Sequence, residues 1–322
     1  MSVPIETPID RPDRTGFAVG MIVFGTSMVA CSDLATKWLT SNLSLWQLQS
    51  MRSLFAIVFL LIILLALRKL SSLKVTNVKA IVTRSLLMTF TYLTFFTALA
   101  LLPIAMVAGG FFSGPLFMVL LASVMLKESI GVWRITSAVG GFIGVLLILQ
   151  PDADQFEPMI FLPVVCGFVY ALTQVYTRKH CKNEDPVAIS FWLAVMFLLS
   201  GLIGLFVLSF VPTQPEPGFL SRPLVVLPMP QLLTLMVIAV ASVMMHFSIA
   251  AAYQNAPATL VAPLEYLYLP IAIIGGYLFF DETPNAIAML GVFIVIAAGL
   301  IIAWRERKMS QLADVVKPTH SL

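Results

Sequence analysis

Charge is what this sequence has least of: Asp, Glu, Lys and Arg together make up 11% of its 322 residues, less than half the roughly 25% of a soluble globular domain. No soluble fold could hide the 59% of hydrophobic residues that accompany so little charge, so the solvent of this chain is a lipid bilayer. Cysteine is also sparse. Cys31, Cys166 and Cys181 lie far apart without a C-x-x-C pair, which excludes a disulfide framework and a thiolate zinc site. The three histidines form no H-E-x-x-H pair, and neither a G-x-x-x-x-G-K-[ST] phosphate loop nor a G-x-S-x-G elbow is present. A nucleotide-driven pump and a familiar hydrolase are thereby set aside, and no cofactor, bound metal or nucleic-acid partner is expected. No small-residue cleavage signature follows the first apolar block, which is therefore expected to be retained as a helix.

What is present is apolar length. Blocks of about 20 residues, the length an α-helix needs to cross the hydrocarbon core, cover 16–40, 44–67, 80–101, 104–126, 131–149, 159–178, 187–210, 230–253, 257–280 and 285–304. They predict an all-α membrane protein with ten transmembrane helices. With the N-terminus inside, cytoplasmic segments collect Arg11, Arg14, Arg68, Lys69, Lys74, Lys79, Arg84, Lys127, Arg134, Arg178, Lys179, Lys182, Arg305, Arg307, Lys308 and Lys317. The other side keeps Lys37, Arg222 and the acidic loop of Asp152, Asp154 and Glu157. This is the asymmetry of the positive-inside rule, and it predicts a multi-pass protein of the cytoplasmic (inner) membrane with both termini in the cytoplasm.

The chain also matches itself. Leu102-Pro103-Ile104-Ala105-Met106-Val107-Ala108 aligns with Ala256-Pro257-Ala258-Thr259-Leu260-Val261-Ala262 at a shift of 154, which also brings Lys127-Glu128-Ser129 onto Asp281-Glu282-Thr283. At a shift of 141, the stretch from Ala30 to Lys37 meets Ala171 to Arg178, so that Asp33 falls on Gln174. The chain divides into a cytoplasmic tail at 1–15, five-helix repeats at 16–150 and 158–305, and a cytoplasmic tail at 306–322. Because each repeat holds five spans, the second enters the membrane inverted, the arrangement that lets a carrier open alternately to either side around a ligand held between the halves.

Two features carry a family resemblance: the twofold arrangement of five plus five spans and the recurrent endings of the fourth and ninth. Those endings run from Leu102-Pro103 through Pro115 to Leu126-Lys127-Glu128, and from Ala256-Pro257 through Pro270 to Phe280-Asp281-Glu282. In these the chain resembles the EamA branch of the drug/metabolite transporter superfamily, over about Gly16 to Arg305. The resemblance implies a secondary transporter of a small polar organic metabolite. A planar heterocycle such as riboflavin, or a nucleoside-type cofactor such as S-adenosylmethionine, is the expected substrate, with export of amino acids or their derivatives as the alternative. A channel or intramembrane enzyme is the remoter one.

Charges inside spans are costly, so each that persists is a candidate for function. Four qualify: Asp33, Arg52, His246 and Glu265. Glu265 sits eight residues into the ninth span, about 12 Å along a helix and so near the bilayer centre. Around it Pro263 and Pro270 remove helical hydrogen bonds, and its repeat partner Phe111 lies in the breaker-rich Gly109-Gly110-Phe111-Phe112-Ser113-Gly114-Pro115. Paired interruptions of this kind point to a binding site. His246 corresponds to Tyr92, and its near-neutral pKa would suit proton coupling. The aromatics Tyr92, Phe95, Phe96, Phe111, Phe112, Tyr253, Tyr266 and Tyr268 suit a flat or cationic ligand. The substrate-binding candidates are therefore Glu265, Phe111, Phe112, His246, Tyr92, Asp33, Gln174 and Tyr266. Asp33 and Lys37, one turn apart, are expected to form a local pair that is either gate or stabiliser. Arg52 is expected to snorkel as an anchor, and Glu128 and Glu282 to act as structural connections.

Overall fold

The computed structural model describes residues 15–114, 117, 120–121, 124–125, 132–150, 158–181, 184–210, 218–255 and 262–316. Regular structure among them is entirely helical: α1 (Thr15–Thr40), α2 (Leu45–Ala66), α3 (Val78–Leu101), α4 (Ile104–Phe111), α5 (Val132–Leu149), α6 (Leu162–His180), α7 (Pro186–Leu208), α8 (Met229–Asn255), α9 (Tyr268–Phe280) and α10 (Ala286–Val316). Short 3-10 turns cover Leu70–Leu73, Pro158–Phe161 and Ala262–Leu267. Six helices among the described residues are long and apolar enough to cross a membrane, within α1, α2, α3, α6, α7 and α8, and shorter apolar helices lie in α5, α9 and α10.

Local chemistry sets the helix starts. Ser44 accepts from the Gln47 amide at 3.2 Å and Asn77 from the Ala80 amide at 3.0 Å, satisfying first-turn amides that lack an intrahelical partner. Asp185 does the same for α7 through the Val187 amide, and Pro186 takes the first helical position, where its missing N–H costs nothing. Asp281 ends α9 in the left-handed region, at φ 54°, and the Glu282 amide turns back to the Gly276 carbonyl at 3.1 Å. A short acidic residue tolerates that conformation, and the reversal swings Glu282 under the bundle end.

The most extensive helix contacts join α5 to α10, α1 to α8, α2 to α7 and α3 to α6. Each couples a helix before residue 150 with one after 157, so the two stretches of chain interleave along the whole bundle. The α5–α10 seam is glycine on glycine: a Cβ at Gly291 would stand 2.5 Å from the Gly144 carbonyl oxygen, so only glycine permits this backbone approach.

The bundle has two distinguishable ends. At one, Lys37 meets Glu282, Gln150 and Asn285 exchange side-chain hydrogen bonds of 2.8 and 2.9 Å, and the 218–228 segment is strapped down. That strap holds through Arg222 to the Thr40 and Leu43 carbonyls, Trp46 to the Leu220 carbonyl, and Gln47 to the Val225 backbone. At the other, the Glu184 carboxylate accepts from the Thr76 hydroxyl and from the Thr76 and Asn77 amides, and Trp192 donates to the Leu73 carbonyl at 3.1 Å. The main apolar core, including Leu39, Leu45, Leu48, Leu99, Ile104 and Leu149, lies towards the Lys37 end. Towards the Glu184 end the described residues form small separate clusters, one of Ala18, Ile22 and Ala252, another of Ala80, Ile81 and Cys181. Among the described residues, apolar packing is therefore more extensive at the first end than at the second.

Candidate functional site

The two interruptions expected from glycine and proline are both present. Helix α4 stops at Phe111, and Phe112 and Ser113 form a turn in which the Ser113 hydroxyl donates to the Gly110 carbonyl at 2.6 Å. A Cβ at Gly167 of α6 would lie 2.7 Å from the Phe111 carbonyl oxygen, so α6 presses directly on this break. In the corresponding stretch, Glu265 lies in the 3-10 turn Ala262–Leu267 ahead of α9, not eight residues into one continuous α-helix. Pro263 and Pro270 account for the difference, since a proline removes a donor and displaces the preceding turn. At the 154 shift, Phe111 and Glu265 both fall where regular helix fails.

These breaks border a chain of aromatic rings. Tyr92 meets Phe197 at 4.8 Å and Phe96 at 5.5 Å, Phe96 meets Phe95 at 5.9 Å, and Phe95 meets Phe111 at 5.5 Å. Phe111 continues to Phe112 at 5.9 Å and to Tyr170 at 5.0 Å, and Phe112 reaches Tyr268 at 5.8 Å. Helices α3, α4, α6, α7 and α9 thus share one wall of rings in edge and tilted contacts, the geometry their quadrupoles favour.

Ionisable side chains lie along this wall, and several do not hold the partners that sequence spacing proposes. Asp33 accepts from the Tyr268 hydroxyl at 2.9 Å. Lys37, expected to pair with Asp33, instead bridges to Glu282 at 2.6 Å and donates to the Leu102 carbonyl at 2.8 Å, while Glu282 also accepts from the Ile104 amide at 2.9 Å. A tertiary partner at shorter range overrides the i, i+4 pairing, and the same carboxylate lies at the N-terminus of α4, where negative charge is favoured. Arg52 does not snorkel. It is 4% exposed, with its guanidinium 4.7 Å from the Phe96 ring centre, 5.3 Å from Tyr92 and 5.8 Å from Phe197, a three-sided cation–π enclosure.

Three of the candidate residues converge on Tyr170. Phe111 touches its ring, Gln174 lies at hydrogen-bonding reach of its hydroxyl, and Glu265 lies within electrostatic range. Tyr170 was not among the expected site residues, although it sits one turn before Gln174. His246 is half-buried and its Nδ1 lies 2.6 Å from the Ser242 carbonyl oxygen one turn earlier, so one ring nitrogen is engaged by its own helix. Tyr253 on α8 and Tyr266 in the 3-10 turn have side chains outside the described residues, and so does Glu128.

Arg84 is the largest departure. Counted with the cytoplasmic charges, it is a buried residue of α3, 7% exposed, and its Nε and Nη1 have no hydrogen-bond partner among the described residues. The Gln49 amide and the hydroxyls of Thr26, Ser53 and Ser85 share that condition. Buried polar groups are overwhelmingly paired, so these side chains stand apart from the rest of the described bundle.

Known proteins place this architecture. The S-adenosylmethionine uptake transporter of Rickettsia conorii is 26% identical over 291 residues, 90% of this chain and 93% of that protein, and that of Rickettsia felis is 27% identical over 290 residues with the same coverage. The riboflavin transporter of Rhizobium johnstonii is 28% identical over 211 residues, 65% of each protein. A solved chain at 14% identity superposes with a TM-score of 0.63, covering 90% of this chain and 98% of its own, which shows a shared fold. The profile of the EamA-like transporter family matches residues 16–150 and again 157–304, so the chain belongs to the EamA-like transporter family and is a transporter of small metabolites rather than an enzyme.

Proposed function

We propose that this protein carries a nucleoside-type metabolite of the S-adenosylmethionine kind across the inner membrane by alternating access between two inverted five-helix halves. The observation that carries the reading is the continuous ring wall from Phe197 through Tyr92 and Phe111 to Tyr268, with the Asp33 carboxylate hydrogen-bonded at its end. An aromatic wall stacks an adenine, and ring faces with a nearby carboxylate suit a sulfonium or ammonium cation. Relatives named for S-adenosylmethionine match over nine-tenths of this chain, those named for riboflavin over about two-thirds. Riboflavin is the second reading, favoured by the same rings, though the relatives so named match less of this chain.

The inverted halves find support in the helix pairings. Exchanging the halves turns the α1–α8 contact into α6–α3 and returns α2–α7 and α5–α10 to themselves, as a twofold axis in the membrane plane requires. Alternating access needs a seal at each end in turn. Lys37, Glu282 and the strap at 218–228 supply one, and the repeat register assigns Arg178 and Glu128 to the equivalent positions at the opposite end. Positive charge on the Glu184 side favours that side, and both termini, as cytoplasmic.

Uptake of radiolabelled S-adenosylmethionine into proteoliposomes tests the reading. Saturable entry, accelerated by unlabelled substrate inside, is the expected result, and an ionophore that collapses a proton gradient reveals whether protons are coupled. Riboflavin entry without S-adenosylmethionine entry would replace the substrate, and unsaturable single-channel current would overturn the carrier.

A further inference from the structure

Arg84 is a buried charged group that neither the fold nor the mechanism above uses. It sits six residues past the first residue of α3, about 9 Å along the helix, and points among groups from three elements. The ionisable groups that act on it are Tyr92 on its own helix, Tyr170 on α6, Cys181 just beyond α6, and His246 on α8. Among the described residues no carboxylate forms an ion pair with it. Asp33 is engaged with Tyr268, and Glu184 with Thr76 and Asn77.

A guanidinium in this position is expensive for the folded chain, because burial strips its hydration without returning hydrogen bonds. It is also well prepared for one class of visitor. Its Nε and Nη1 are both without an acceptor among the described residues, and a hydrogen bond from either to a carboxylate oxygen is charge-assisted. Tyr92, eight residues further along α3 and about 12 Å away by helix rise, belongs to the ring wall and stands within electrostatic range of Arg84 as well as Arg52. The aromatic surface and the unanswered guanidinium therefore lie about two turns apart along α3.

We infer that Arg84 is the docking point for a carboxylate of the transported molecule, so that the substrate is a zwitterion with a terminal acidic group rather than a neutral heterocycle. This deepens the transport reading and rests on it. For a substrate of the S-adenosylmethionine kind, the purine occupies the ring wall and the α-carboxylate reaches Arg84.

The test compares ligands that differ by that group alone. Binding of S-adenosylmethionine and of its decarboxylated analogue is measured by thermal shift on the purified full-length protein, with acetate against acetamide at equal ionic strength as a probe independent of the larger ligand. The wild type should bind the decarboxylated analogue about tenfold more weakly or worse, the loss of a charged hydrogen-bonded contact, and should be stabilised by acetate alone of the small pair. Arg84→Gln should abolish the acetate response and bring the two large ligands close to parity, and Arg84→Lys should keep part of the preference. An unchanged ratio in Arg84→Gln overturns the inference, as does a wild type indifferent to the carboxylate, which needs no variant to fold. An Arg84-dependent acetate response without S-adenosylmethionine binding would sink the substrate reading while leaving the subsite standing.

Discussion

Arg52 and Arg84 are both deeply buried arginines on neighbouring helices, and their surroundings differ in kind. Around Arg52 the chain supplies three ring faces and, within electrostatic range, the Asp33 carboxylate. Around Arg84 it supplies phenols, a thiol and an imidazole, and leaves two guanidinium nitrogens without an acceptor among the described residues. A charge answered by its own chain belongs to the architecture. A charge left unanswered is suited to a partner that arrives and departs, which is what a carrier handles.

That contrast is sharpened by four substitutions in descending order of expected effect on stability. Arg52→Met should be the most damaging, lowering stability by about 3–5 kcal/mol, because it leaves Asp33 buried without its cation. Combining it with Asp33→Asn should recover a good part of the melting temperature, and a single variant that melts like the wild type would break the comparison. Lys37→Met should cost less, about 1–2 kcal/mol. Its partner Glu282 keeps the Ile104 amide, and the pair is 11% and 20% exposed and so partly screened.

Glu184 tests the far end through pH. The Thr76 hydroxyl, and then the Thr76 and Asn77 amides, hold its carboxyl below the ordinary value of 4.5. A depressed folded-state value gives stability that is complete above about pH 4.5 and lost as pH falls through the lower folded value. Glu184→Gln should therefore melt earlier than the wild type near neutrality, with the gap closing in acid; a gap that widens in acid would contradict this. Smallest of all, Arg84→Gln should leave the melting temperature without ligand unchanged or slightly raised, since it removes an uncompensated charge. A fall as large as that of Arg52→Met would assign Arg84 to the architecture after all.

Much of the fold was legible because its signals are local. Apolar length gave the long helices, and the capping residues Ser44, Asn77 and Asp185 lie within three residues of where the apolar blocks begin. The breaks were legible too, since Gly109-Gly110 and the prolines at 263 and 270 act on their own turns. What escaped was every interaction between distant residues. Asp33 and Lys37 look like a pair along α1, yet each finds its partner more than 200 positions away, as the Tyr268 and Glu282 contacts show. Arg52 and Arg84 carry no mark in sequence that says which rings will enclose one and which acceptors will be missing around the other. Arg84 was further obscured by its position just after Lys74 and Lys79, where it continues a run of loop charges. Tyr170 could have been found, because a tyrosine one helical turn before Gln174 shares its face.

The two indoles that tether loops carry a consequence for lipid. Trp46 holds the Leu220 carbonyl and lies against Gly204 of α7, while Trp192 of the same helix holds the Leu73 carbonyl at the other end. Twelve residues of α7 separate Gly204 from Trp192, about 18 Å of helical rise. Rings of this type settle at the boundary between headgroups and hydrocarbon, and here a single rigid helix fixes their spacing. A bilayer of different thickness cannot be met by sliding one ring past the other. It is met by tilting α2 and α7 together or by deforming the lipid around them, so membrane thickness is a mechanical load applied directly to a helix pair that couples the two family-matched stretches of the chain.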